Sequence, residues 1–378
     1  MTEIDHEIRA LTGARAVAAS VVVATHLIPT LGYLTPWADP AVPYLMCGAL
    51  AVDFFFLLSG FIITHRYLES MAQPSWESTR HFWVLRFARI WPVHAAVVLA
   101  FVAYHHLKLH FVGAGLEADN VGIGNIVANL LMFQQFPPST PINPPAWSLA
   151  PEFGAYLLFP VLALGLARVR SAPVALGSAA VILVVAAATL SPVVAHDVNG
   201  YRSAWLRIAF AFVAGALLAV GWRLLPAVRR SRAWDLGVVG AALGIVVVCW
   251  WDPPSNQFDL PIEVYPFLGL IVLACAASTG PVARFLGQRF VEWGGRISYS
   301  VYVTHFLVLI FMYNVLVSAG TADQALPVKI VLLAVVIAVV IGVGALSYYV
   351  VEEPARKYFR RREKRRRATR QRSAEESR

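Results

Sequence analysis

Arg15-Ala16-Val17-Ala18-Ala19-Ser20-Val21-Val22-Val23-Ala24-Thr25-His26 encloses ten uncharged residues between an arginine and a histidine. At ~1.5 Å of rise per residue, His26 stands about 16 Å above Arg15, near the midplane of a hydrocarbon core ~30 Å thick. An ionisable group at that depth is costly to keep and marks a transport path or a reaction centre. The run closes on His26-Leu27-Ile28-Pro29 rather than on small residues, so it reads as a retained span and not a cleaved signal peptide.

The same pattern continues along the chain. With 58% apolar and 14% charged residues and a mean hydropathy of +0.63, the composition excludes a water-soluble globule. Backbone polar groups in lipid must be satisfied within the segment, so the recurrent apolar runs are read as helices. The expected fold is an all-α polytopic integral membrane protein. Ten transmembrane helices are placed at about 12–31, 45–65, 83–107, 148–167, 174–195, 203–222, 234–251, 263–278, 297–318 and 328–350. Both termini are placed in the cytoplasm. That arrangement puts fifteen Lys and Arg in inner loops and helix ends and twelve in the tail, leaving Lys108, Arg202, Arg207 and Lys329 outside. Ile123, Ile126, Val127, Leu130 and Leu131, at helical spacing within 108–147, predict a short interfacial helix over the outer mouth. Pro137-Pro138 and Asn143-Pro144-Pro145 force a break before the fourth span begins at Trp147.

Residues 1–355 thus read as one membrane-embedded domain, and 356–378 as a basic cytoplasmic tail, disordered because like charges repel. The net charge of +9 resides mostly in that tail and implies contact with anionic lipid heads, not nucleic acid. Cys47, Cys249 and Cys275 offer no metal-ligand spacing, and no metal is expected.

Six ionisable residues fall well inside the spans: His26, Asp53, His94, Glu152, Arg207 and His305. Counted from helix ends, Asp53 lies about 12 Å and Glu152 about 7 Å below the outer surface, and His305 about 13 Å above the inner one. His26, Asp53 and His305 share a central layer, with Glu152 one to two turns above it. Groups this costly are expected to pair inside the bundle. Beneath them Arg86 and Arg89 share one face at i,i+3, and Arg15 and Arg296 stand at the inner ends of the helices carrying the deep histidines. Taken singly, each arginine is also an ordinary positive-inside anchor, and Ser59-Gly60 an ordinary packing pair. Together the arginines form a floor on which a cytoplasmic polyanion fits with its reactive end upward.

Six ordered motifs resemble the membrane-bound acyltransferase 3 family, whose members O-acylate sugars, surface glycans and some macrolide-type metabolites. They are Leu11-Thr12-Gly13-Ala14-Arg15 with His26, Val52-Asp53 through Ser59-Gly60-Phe61, and the pair Arg86 and Arg89. Next come Asn143-Pro144-Pro145-Ala146-Trp147-Ser148-Leu149 with Glu152 and Tyr156, and Gly295-Arg296-Ile297-Ser298-Tyr299-Ser300 with Tyr302 and His305. Val351-Glu352-Glu353-Pro354-Ala355-Arg356 is the last. Thr12, Thr25, Phe153, Gly154 and Thr304 depart from residues common in the family, and bear on acceptor recognition. The fused soluble domain of some members is absent from this sequence, so the membrane core is expected to complete the reaction.

The resemblance implies acyl-CoA, with acetyl-CoA foremost, as a co-substrate rather than a resident cofactor. It also implies a hydroxyl-bearing acceptor and a plasma-membrane, bacterial setting. Arg15, Arg86, Arg89 and Arg296 are then expected on the donor phosphates. His26 is expected as general base or acyl relay, its ring held by Glu152 or Asp53. Ser298, Tyr302 or His305 would serve the oxyanion, with Trp147 and Tyr156 near the substrate. A proton-coupled exporter is the competing class for the same midplane groups.

Overall fold

The computed structural model describes residues 3–113, 121–197, 201–226, 230–254 and 260–376. Among them the chain is helical, with one isolated bridge between Ser231 and Ser278 and no strand. The first helices are α1 (Glu3–His26), α2 (Ile28–Leu34), α3 (Val42–Met46), α4 (Ala51–Met71), α5 (Trp76–Val112) and α6 (Ile123–Leu130). The middle of the chain holds α7 (Leu149–Leu166), α8 (Ala172–His196), α9 (Tyr201–Leu224), α10 (Trp234–Trp251) and α11 (Tyr265–Ala277). After these come α12 (Pro281–Leu286), α13 (Arg289–Ser318), α14 (Leu326–Ser347) and α15 (Glu353–Glu376).

Each of the ten apolar segments contains one of these helices, but not all are spans by length. Among the described residues, eight helices are long and apolar enough to cross a membrane. A ninth crossing arises if α1 and α2, bent by 51° against each other, form one broken span. The break has a local cause. Pro29 has no N–H to give the carbonyl four residues earlier, so α1 ends on His26 and α2 restarts at Ile28. The remaining segment, Ile262–Ala277, falls short of the ~20 residues a crossing needs. A short helix occupies the expected stretch as α6, with Ile123, Val127 and Leu131 exposed and Asn129 buried.

Arg229 and Arg378, both used to orient the chain, lie outside the described residues, as does part of the 108–147 stretch. The tail differs from its sequence expectation. Instead of a disordered strand of like charges, Glu353–Glu376 is a helix, continued from α14 through a five-residue π turn, Tyr348–Glu352. Its charges are offset where it meets the body: Glu363 takes Arg80 Nη2 at 2.5 Å, and Glu352 is fully buried.

Close approach of backbones positions the bundle. A Cβ on Gly60 would collide with the Phe212 carbonyl, and one on Gly215 with the Leu57 carbonyl, so α4 and α9 lie directly on each other. A Cβ on Gly295 would likewise strike the Thr12 carbonyl, and one on Gly13 the Leu286 carbonyl, which seats α1 against α13 and α12. Phe56, Phe61, Phe82, Phe101 and Phe159 fill the interior. Val184, Val246 and Val331 stand outward, as lipid-facing positions should.

Overpacking a close helix contact costs about 1–3 kcal/mol. Gly60→Ala is therefore expected to lower the thermal midpoint of the detergent-solubilised protein by several degrees. Gly165→Ala, with open space around its Cβ, should leave it unchanged; equal midpoints for the two would refute the contact.

Candidate active site

A cavity of about 90 Å³ opens between α1, α4, α5, α7 and α13. Its polar lining is Arg15, Ser59, Arg86, Arg89, Ser148, Glu152, Tyr156, Ser298, Tyr299 and Tyr302. Glu152 sits in the first turn of α7, where the helix dipole favours a carboxylate. It accepts from Ser59 Oγ at 3.1 Å and from the Tyr156 hydroxyl one turn on, and those two hydroxyls are 3.0 Å apart. Ser59, read from sequence as a packing residue, is thus also a ligand of the carboxylate.

The three arginines at this cavity differ in how far they are neutralised. Arg89 is paired with Glu352, which also accepts from Ser300 Oγ at 2.7 Å and lies 3.6 Å from Arg356. Arg15 Nε donates to Ser298 Oγ at 3.3 Å. Arg86 donates to the Tyr67 hydroxyl at 3.1 Å and lies 5.2 Å from that ring's centroid. Its Nε is buried without a partner. Among the described residues neither Arg15 nor Arg86 has an ion pair, so both guanidinium groups at the cavity wall stand without a carboxylate in direct contact.

The cavity continues into a larger one. A vestibule of about 270 Å³ shares Arg15, Ile62, Arg86 and Arg89 with it and adds Arg66, Arg296, Arg356 and Arg360. Seven-fold repetition of one charge type around a single hollow is an anion receptacle. All four arginines expected on the floor, Arg15, Arg86, Arg89 and Arg296, are here. Sequence reasoning missed Arg66, Arg356 and Arg360, because nothing in their spacing distinguishes them from topology signals.

The deep histidines meet each other. His26 and His305 have ring centroids 4.9 Å apart, edge to face, and Phe306 packs 5.4 Å from His26. A carbonyl only accepts, so the 3.0 Å contact of His26 Nδ1 with Val22 O fixes the proton on Nδ1 and leaves Nε2 with a lone pair. His305 Nδ1 is fixed in the same way by Tyr302 O at 2.6 Å, and its buried Nε2 has no partner. His26 does not line the cavity; Tyr302, 6.0 Å from His305 between ring centroids, is the wall on that side. Neither Glu152 nor Asp53 holds the His26 ring, as the sequence had suggested; the backbone of its own helix does.

The expected hydroxyl donors have committed protons. Ser298 Oγ donates to Gly295 O at 2.9 Å, and the Tyr302 hydroxyl to Pro145 O at 2.6 Å. Ser148 Oγ, 2.8 Å from that hydroxyl, is then the donor of the pair. Asn143 Nδ2 donates to Val303 O at 2.8 Å, tying the same proline turn to α13.

Asp53 belongs to a separate structural knot. Its carboxylate takes Arg207 in a bidentate pair, Nε at 2.9 Å and Nη2 at 2.6 Å, and the Tyr265 hydroxyl at 2.6 Å. Trp147 lies over the Arg207 guanidinium, 4.8 Å from centroid, rather than in the cavity wall. His94 gives its Nε2 to Asn129 O at 2.8 Å and anchors α6 to α5. Cys47 and Cys249 are free thiols within side-chain hydrogen-bonding reach of each other.

Residues 8–348 match the family model described as an acyltransferase domain. The chain is 28% identical over 373 residues to a protein named acyltransferase MdmB of Streptomyces mycarofaciens, covering 92% of this chain and 91% of that one. It is 26% identical over 325 residues to the peptidoglycan O-acetyltransferase OatA of Listeria monocytogenes, covering 79% of this chain but only 49% of that protein. No solved structure matches.

Removing one partner of a buried ion pair costs about 3–5 kcal/mol, whereas replacing both by apolar groups of similar size is close to neutral. Asp53→Ala should therefore melt well below the wild type, and Asp53→Leu combined with Arg207→Met should recover most of the loss. A single variant that melts with the wild type would remove the pair from the list of forces joining α4 to α9.

Proposed function

The chain belongs to this acyltransferase family, and on that premise we propose that it is a multi-pass membrane O-acyltransferase. In this reading it moves an acyl group, acetyl foremost, from cytoplasmic acyl-CoA to a hydroxyl of a carbohydrate or glycosylated metabolite. The observation that carries the reading is the arginine vestibule opening into a cavity that ends at Glu152. We place ten crossings in the plasma membrane of a bacterial cell, with both termini cytoplasmic, because that arrangement collects nearly all Lys and Arg on the vestibule side.

Each part then has a task. Donor phosphates sit among Arg15, Arg86, Arg89 and Arg296, where guanidinium groups give bidentate, charge-assisted contacts. Arg89 is preset by Glu352, whereas Arg15 and Arg86 keep charge for the guest. The thin arm of the donor carries its thioester up to the Glu152–Tyr156–Ser59 cluster. An acceptor oxygen entering on the His26 side of Tyr302 attacks the thioester carbonyl and its proton passes to His26 Nε2; the carbon–sulfur bond then breaks and His26 returns that proton to the departing sulfur, giving the ester and free thiol. With the Ser298 and Tyr302 protons engaged elsewhere, the arginine N–H groups are the donors available to the oxyanion. His305, with an unpartnered Nε2 beside His26, offers a second acceptor for the incoming hydroxyl. The relay form of this chemistry places the acyl group on the imidazole before the acceptor takes it. The exporter reading has no support from relatives named as acyltransferases.

Thiol release from acetyl-CoA by purified protein, with acceptor supplied, tests the reading. His26→Ala should lower the rate about 100-fold or more, and wild-type rates in a correctly inserted variant would overturn its role. Acceptor-free incubation with isotopically marked acetyl-CoA separates the two routes, since only the relay leaves label on the protein. Arg86→Ala with Arg89→Ala should raise the KM for acetyl-CoA at least tenfold; unchanged saturation would take both out of the donor site. Mass spectra of glycans and secreted metabolites from deleted and complemented cells, read for an acetyl shift, identify the acceptor.

A further inference from the structure

Beyond the vestibule lies a third hollow, of about 550 Å³, lined by Arg66, Tyr67, His81, Arg360, Lys364 and Arg367. It shares Arg66, Leu85 and Arg360 with the vestibule, so three cavities run in series from this hollow to Glu152. No carboxylate lines it. Arg356, Arg360, Lys364 and Arg367 follow at helical spacing along one face of α15, a row about 16 Å long. Like charges at that spacing destabilise a bare helix. Here the helix is latched at Glu363, which lies within the row itself, three residues after Arg360 and four before Arg367, and at Glu352 just before its start. Glu363, 4% exposed, takes Arg80 Nη2 at 2.7 and 2.5 Å and lies 3.5 Å from His81 Nδ1, while Glu352 takes Arg89 and Arg356 at the helix start. Both nearby carboxylates are thereby spent on latching. Among the described residues Arg66, Arg360, Lys364 and Arg367 have no ion pair.

We infer that the basic row of α15 is a second anion site, which binds the phosphomonoester at the nucleotide end of the acyl donor. The inference rests on the donor reading above. It assigns the donor's diphosphate to the vestibule and its terminal 3′-phosphate to Arg360, Lys364 and Arg367. A ligand with two separated anionic groups and a thin uncharged arm matches three connected hollows, of which the outer two are rich in cations and the innermost holds a carboxylate. Phosphate is also the chemistry of lipid headgroups, and the experiment separates the two sources.

The experiment compares acetyl-CoA with 3′-dephospho-acetyl-CoA on the full chain in neutral detergent, following thiol release. Wild type should show a KM about tenfold higher for the dephospho donor. Lys364→Gln with Arg367→Gln should raise the acetyl-CoA KM to that value and bring the ratio of the two donors near one. Arg362→Gln, on an exposed part of the same helix, should keep the wild-type ratio and serves as the control for folding and general charge. A ratio that persists in the double variant, or no discrimination by wild type, overturns the inference. So does a double variant that loses only its binding to phosphatidylglycerol vesicles while keeping the donor ratio, since the cations would then serve lipid. Absence of thiol release from either donor by wild type is a different failure: it removes the acyl-CoA reading itself, whereas release without an α15-dependent ratio removes only this site.

Discussion

Two glycines let the helix carrying Arg15 and His26 lie on the one carrying Ser298 and His305. A Cβ on Gly295 would strike the Thr12 carbonyl and one on Gly294 would crowd Ala16, so α1 and α13 meet with almost no side chain between them. In lipid, such contact replaces the hydrophobic drive that holds soluble bundles together. Everything at the site follows from it. Arg15 reaches Ser298 near one end of the contact, and the two imidazoles meet near the other. Were the helices separated by larger side chains, the arginine floor and the histidine pair would belong to different neighbourhoods.

The distribution of neutralised charge then divides structure from chemistry. Arg207 is fully answered by Asp53, and Arg89 by Glu352; each joins elements far apart in sequence, α9 to α4 and α5 to the end of α14. Arg15 and Arg86 have only hydroxyl partners. A buried polar atom without a partner, such as Arg86 Nε or His305 Nε2, is costly unless a guest completes it. At the site Arg86 Nε, on the wall of both the cavity and the vestibule, and His305 Nε2, beside His26, are left for a guest to complete.

Much of this was legible in the residues. Apolar runs located the helices, and the spacing of charge along each gave depth. His26 and His305 were placed in one layer and are in contact. Depth along a helix says nothing of which way around it a side chain points, and the partner assignments suffered there. Asp53, at the right height for His26, faces Arg207, 154 residues away in sequence. Tyr302 and Ser298, read as oxyanion donors, line the cavity, and only their hydrogen bonds show that their protons are engaged. Pro29 in the sequence already marks the bend after His26. The tail was misjudged because charge composition was weighed without the two glutamates, Glu352 and Glu363, that secure it. Glu352 stands in the last of the six family-like motifs, but nothing in that motif marks it as the partner of Arg89.

The π turn at Tyr348–Glu352 has a practical bearing for anyone handling this protein. Because it folds Glu352 under Arg89 and sends α15 back along α5 to reach Arg80, helix α15 is wired into the half of the bundle that holds the cavities. That end is thus a poor place for purification handles or fluorescent fusions cut close to the body. Shortening the chain before Glu363 would release the strap from Arg80 and unsettle the arginine-lined vestibule beside it.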